Sequence, residues 1–269
     1  MRVAILGSSP LPLGMVFAAT YRDALERAGV SLSLVVLDER RDKRSRPFRS
    51  AIRTARRQAR ISGCTTFTSF LRLLTYRLLV GYPDRKPSST LAWPNGVRIL
   101  EVPTLNCDET IQAVRDSGCD VMCLMGAVIL SPETLSKLPP TVINVHSSDP
   151  QSLRGGPVVV WEVIQNYSAI TLTLHRVTEQ LDAGAILEQR SIPIRFRKGL
   201  GATTRTTMAA AESVVAAMFY DVLTKAAAGL LQERQFIPGP LRVTPSVREL
   251  VQAERRCRKE SARQDGVGR

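Results

Sequence analysis

Histidine occurs only twice in this chain, as His146 and His175, so any imidazole chemistry is confined to two places. His146 follows Val142–Val145, an apolar run that reads as a buried strand delivering it into the next loop. In an open α/β sheet that carboxyl edge is where ligands bind. Asn144 lies two residues earlier and points to the same side if the strand geometry persists. An amide and an imidazole placed together there can donate hydrogen bonds to an oxygen that gains charge during reaction. His175 sits in an alternating run with no acid or nucleophile close in sequence and reads as structural, while Asp182-Ala183-Gly184 taken alone reads as a turn. The five cysteines are odd in number, scattered and without paired CxxC or CxxH spacing. That pattern predicts a reducing, cytoplasmic setting and no metal site, with Cys119 and Cys123, beside and within the apolar run VMCLM, as core fillers.

These residues need a scaffold, and apolar segments alternate along the chain as they do in βαβ units. Strands are expected at Val3–Leu6, Ser31–Leu37, Arg98–Val102, Asp120–Met125, Val142–Val145, Ala169–Arg176 and Gly184–Ile194. Helices are expected at about Met15–Ala28, Phe67–Leu79, Asp108–Ser117, Ser131–Leu138 and Thr206–Leu231. Ser131-Pro132-Glu133 supplies an N-cap followed by proline in the first turn, and Pro139-Pro140 ends that short helix. The expected fold class is α/β, Rossmann-like, with a mostly parallel central sheet flanked by helices. The opening run MRVAILGSS is too short to span a bilayer and lacks the layout of a signal peptide.

The formal net charge is +13, and it is concentrated. Residues 40–60 hold ten Lys/Arg and one Asp, and residues 254–269 hold six and three, leaving the remainder nearly neutral. The domain reading is a catalytic unit over 1–231, interrupted by a basic helical insertion at about 40–94 that ends in the polar loop Pro83–Pro94. A short C-terminal extension and frayed basic tail follow over 232–269. The insertion could pack as a solvated helix, cover an anionic substrate, lie on a membrane surface, or touch RNA. Phe48 is the only aromatic in residues 40–60, which serves base stacking poorly.

The segment INVHSSDPQSLRGGPVVVWEVIQN, followed by TLTLHRVTEQLDAGAIL, resembles the catalytic core of the N10-formyltetrahydrofolate-dependent formyltransferases, which act on glycinamide ribonucleotide, methionyl-tRNA or amino sugars. Asn144-Val145-His146, Arg154-Gly155 and Asp182-Ala183-Gly184 match that family's ordered elements, and MGAVILSPETLSKLP looks like its folate-facing segment. The resemblance implies Asn144, His146 and Asp182 as the catalytic group. It also implies Val128, Ile129, Leu130, Thr178, Glu179 and Leu181 against the folate, and Arg154 and Gly155 at the substrate loop. Formyl transfer to an amine passes through a tetrahedral intermediate, so Asn144 and protonated His146 would steady the oxyanion while Asp182 raises the imidazole's basicity and relays a proton through water.

Departures from the family narrow the acceptor. Pro10 and Pro12 remove two N–H donors from the loop that would cradle a phosphate in the glycinamide ribonucleotide enzymes. Only 38 residues follow Leu231, where methionyl-tRNA formyltransferases carry a barrel domain, and the chain opens on a strand where the formyltetrahydrofolate hydrolases carry a regulatory domain. Asp149-Pro150-Gln151-Ser152-Leu153 replaces the usual Leu-Pro before Arg-Gly and suggests an altered acceptor pocket. The expected function is formyl transfer to a primary amine of a small molecule, an amino sugar nucleotide or a specialised-metabolite amine, with an anionic acceptor among the options. The alternatives are a methionyl-tRNA-type enzyme that uses the basic insertion for RNA, and a degenerate module that binds anionic surfaces.

Overall fold

The structure is a computed structural model that describes residues 1–39, 47–81, 92–126, 128–139 and 141–267. The first residues of the basic run, most of Pro83–Pro94, and Pro140 lie outside the described residues. Seven strands form one sheet: β1 (Arg2–Ser8), β2 (Ser31–Asp38), β3 (Arg98–Val102), β4 (Val121–Leu124), β5 (Val142–His146), β7 (Ala169–Arg176) and β8 (Ile186–Pro193). Their order is β3-β2-β1-β4-β5-β7-β8. The first five are parallel, and β7 and β8 close one edge antiparallel. β1 and β4 read as continuous apolar runs because they lie mid-sheet and are covered on both faces.

Helices α1 (Pro12–Arg27) and α7 (Leu200–Ala227) pack together on one face, where Phe17 meets Phe219 edge-on with centroids 6.2 Å apart. The opposite face is covered by α4 (Asp108–Ser117) and α5 (Pro132–Lys137), whose Ile111, Val114 and Leu135 pack with Met122 and Leu138. Ser131 caps α5 as its sequence suggests, accepting from the Thr134 N–H at 3.1 Å. His146 proves to be the last residue of β5 rather than part of the following loop.

The insertion is a helical hairpin of α2 (Pro47–Ser62) and α3 (Thr66–Val80). Ala51, Ala55 and Ala59 are buried at four-residue intervals, so a small-residue stripe turns inward while Arg49, Arg53, Arg56, Arg57 and Arg60 are exposed. The hairpin docks through α3 onto α7 and onto α8 (Val247–Val267). At Gly201, in the first turn of α7, a Cβ would lie 2.7 Å from the Leu79 carbonyl oxygen and 2.8 Å from that of Val80. Only glycine allows this approach.

Two boundaries depart from the sequence reading. α7 begins six residues before the expected Thr206, opened by Gly199. Residues 247–267, expected as part of a loop extension with a frayed tail, form α8. Its charged composition hides a stripe of Leu250, Ala253, Cys257 and Ser261, all at most 4% exposed. Three or four small or apolar residues in 21 are enough when the partner surface is already built by α6 (Val158–Ile164), α7 and α3.

Gly201→Ala should therefore push the hairpin from the sheet layer and cost about 1–3 kcal/mol of stability, read as a lowered urea midpoint. An unchanged midpoint would show that the hairpin does not rest on this contact.

Candidate active site

Asn144 and His146 are alternate residues of β5 and so share one face of the sheet. The antiparallel neighbour β7 sets His175 directly opposite Asn144 and Thr173 opposite His146. Asp182 comes from the turn between β7 and β8, in the left-handed region at φ 49°, a conformation that Asp tolerates better than most residues. Its carboxylate is 8% exposed and has three partners. Oδ2 accepts from the Gly155 N–H at 3.1 Å and lies 3.5 Å from His146 Nδ1, and Oδ1 lies 3.6 Å from His175 Nε2. Gly184 completes the turn because a Cβ there would fall 2.0 Å from the Arg176 carbonyl oxygen.

Both ring nitrogens of His146 face acceptors, Nδ1 the Asp182 carboxylate and Nε2 the Leu153 carbonyl oxygen at 3.1 Å. His175 is different. Its Nδ1 donates to the Arg176 carbonyl at 2.7 Å, and burial pushes its pKa below the ordinary imidazole value, against the opposing pull of Asp182. The neutral ring then offers the Nε2 lone pair to the Asn144 amide at 3.4 Å, which leaves Asn144 a second N–H. His175 is thus at the centre of the site, where the sequence reading had it structural. The signal that reveals it is strand pairing across 31 residues, which local spacing does not contain.

The loop after β5 is fixed from beneath. Ser148 donates to Glu162 Oε1 at 2.7 Å, Thr173 donates to the Ser148 carbonyl at 2.8 Å, and Gln189 donates to Thr173 at 3.0 Å. Glu162 is 5% exposed, and burial raises its pKa above the usual carboxylate range. β6 (Arg154–Gly155) pairs in parallel with β9 (Leu241–Arg242). Arg154, expected at the substrate loop, donates to the Gly239 carbonyl at 2.7 Å and the Leu181 carbonyl at 2.9 Å. It holds the turn that carries Asp182.

Asn144, His146, Gly155 and Asp182 open on a cleft of about 650 Å³, in the size range of small-molecule sites. Val128, Ile129 and Leu181, expected against folate, form part of its wall. The Leu130 side chain packs in the cluster beneath α4 and α5, and Thr178 and Glu179 are exposed in the β7–β8 turn. Thr54, Arg57, Gln58 and Ile61 of α2, with Arg242, line the same cleft. Among the described residues no group of three His, Cys, Asp or Glu is arranged to hold a metal, and no helix is long and apolar enough to cross a membrane.

Residues 98–218 match the formyl transferase family. Over this segment the chain is similar to that family. A methionyl-tRNA formyltransferase of Anaeromyxobacter dehalogenans is 28% identical over 198 residues, covering 72% of this chain and 50% of the relative. The chain spans about half or less of the length of the curated relatives it matches. The fold is shared with glycinamide ribonucleotide transformylase 1 from Symbiobacterium toebii at TM-score 0.55 and 16% identity, covering 90% of this chain and 92% of that one. It is also shared with Aquifex aeolicus HypX in complex with tetrahydrofolic acid, at TM-score 0.52 and 14% identity, covering 91% and 30%. The mostly parallel sheet is the architecture of these formyltransferase-like neighbours.

The Glu162 shift has a signed consequence. A carboxyl whose folded pKa is raised stabilises the fold while protonated, and that contribution is lost as pH rises from the unfolded value of 4.5 through the folded one. Glu162→Gln keeps an acceptor for Ser148 without the charge. The variant's urea midpoint should exceed wild type by a margin that grows from pH 5 to pH 8, and a margin independent of pH would show that the buried carboxylate ionises without penalty.

Proposed function

We propose that this chain transfers a formyl group from N10-formyltetrahydrofolate to a primary amine of a small-molecule acceptor. The convergence of Asn144, His146 and Asp182 at one cleft, from motifs in the family's order, carries this reading. The cleft suits the co-substrate: an apolar wall of Val128, Ile129 and Leu181 for a pterin stands beside a polar end at Asn144 and Asp182. When bound, the folate supplies the activated formyl group.

The chain's own groups supply the rest. Asn144, anchored by His175, and His146 donate to the oxygen that gains charge, replacing solvent with preorganised donors. At Nε2 of His146 a reacting oxygen takes the place of the Leu153 carbonyl. Asp182 holds the imidazole in register, with the Gly155 N–H and the Arg154 staple fixing the carboxylate in turn. Proton transfer from the attacking amine can then run through water to this pair.

The curated relatives are methionyl-tRNA formyltransferases, and Arg57 of the arginine-rich α2 stands at the cleft, which supports aminoacyl-tRNA as a second reading of the acceptor. That reading requires a steep loss of activity with salt, whereas a small acceptor gives a shallow one.

Asn144→Ala, His146→Ala and Asp182→Asn should each lower formyl transfer about 100- to 1,000-fold, the usual cost of one such group. Calorimetric binding of 5-formyltetrahydrofolate, a stable analogue, should persist in the first two. Near wild-type turnover in any variant removes that residue from the mechanism, and absence of analogue binding by the folded wild-type chain refutes the function.

A further inference from the structure

Buried polar side-chain atoms find partners in nearly all folded proteins, so the exceptions are informative. Six such atoms among the described residues have none: Ser8 Oγ, Gln58 Oε1, Ser69 Oγ, Gln165 Oε1, Thr204 Oγ1 and Arg242 Nε. Gln58, Thr204 and Arg242 come from α2, α7 and β9, segments far apart in sequence, and all three line the same cleft. Their convergence marks a place where a ligand completes the hydrogen bonding.

The donors and acceptors define that ligand. Gln58 Nε2 donates to Thr244 Oγ1 at 2.9 Å, which fixes the amide and commits Oε1 as an acceptor. Arg242 lies over the Trp161 ring, its guanidinium carbon 5.1 Å from the centroid, and its Nε can only donate. Arg57 adds a second guanidinium, since Thr54, Arg57, Gln58 and Ile61 recur at the three- and four-residue spacing that puts one helical face to the cleft. Two guanidinium groups call for an anion, and Gln58 Oε1 for an O–H or N–H beside it.

We propose that this wall is an anion subsite that holds a phosphate or carboxylate on the acceptor amine, with Arg57 and Arg242 on the charge and Gln58 and Thr204 on neighbouring hydroxyl or amide groups. The role as acceptor subsite rests on the formyl-transfer reading above. None of these four residues belongs to the segments expected against folate. The basic insertion thereby gains a specific role, in which Arg57 of α2 reads the acceptor's charge.

The test uses the full chain and Trp161, which sits under Arg242 and is one of only two tryptophans. Inorganic phosphate and succinate are titrated separately against tryptophan emission, and the stronger response identifies the anion. Arg57→Gln should weaken binding about tenfold, the scale of one charge-assisted hydrogen bond, and Arg242→Gln at least as much. Arg60→Gln, exposed on α2 but absent from the cleft wall, should leave affinity unchanged. 5-Formyltetrahydrofolate affinity should stay within about twofold in Arg57→Gln, far less than one charge-assisted hydrogen bond. Equal loss in Arg57→Gln and Arg60→Gln would reduce the effect to diffuse charge and overturn the subsite. Displacement of the anion by 5-formyltetrahydrofolate would assign these arginines to the cofactor's own carboxylates and overturn it too. Folate binding without response to either anion overturns the subsite and leaves formyl transfer standing. Anion binding without folate binding keeps the subsite and removes the formyl-transfer reading.

Discussion

Asp182 is only 8% exposed, and its carboxylate is met by three separate stretches of chain: the Gly155 N–H donates at 3.1 Å, and His146 Nδ1 and His175 Nε2 lie 3.5 and 3.6 Å away. Leaving such a charge unpaired in a protein interior costs several kcal/mol. That constraint ties β5, through His146, to β7, through His175, and ties both to the loop at Gly155. The glycine at 184 lets the turn seat against β7, and the Arg154 guanidinium pins the turn's backbone at Leu181. The antiparallel edge of the sheet therefore brings two histidines and an amide to one carboxylate.

The remaining polar groups follow the same rule at increasing distance. Thr173 lies beside His146 across the strands and carries the hydrogen bond that shapes the Ser148 turn, and Ser148 in turn satisfies the buried Glu162. The titrations of Glu162 and His175 oppose one another. Burial favours the neutral form of each, so rising pH costs stability at the acid and falling pH below 6.5 costs stability at the imidazole.

The parallel strands were legible because burial on both faces writes itself as uninterrupted apolar runs such as VAILG and VMCL. Asn144, His146 and Asp182 were legible because motif order survives where overall identity is low. α8 was not, since a helix that packs one narrow stripe on a finished surface can be highly charged elsewhere. His175, Gln58 and Arg242 were illegible for another reason. Each acquires meaning from a partner dozens to nearly two hundred residues away, through strand pairing or helix docking that single-residue patterns do not encode.

The two-residue ladder of β6 with β9 joins Arg154 to Leu241, and Gln58 reaches Thr244, so the cleft wall is closed by contacts of very large sequence separation. Loop closure over such spans is entropically expensive and comes after local pairing in folding. The sheet of β1 to β5 can assemble while the chain is still emerging during synthesis, but the cleft cannot exist before residues 239–244 arrive. Binding capacity is in this sense a late property of the chain, acquired only after its scaffold has formed.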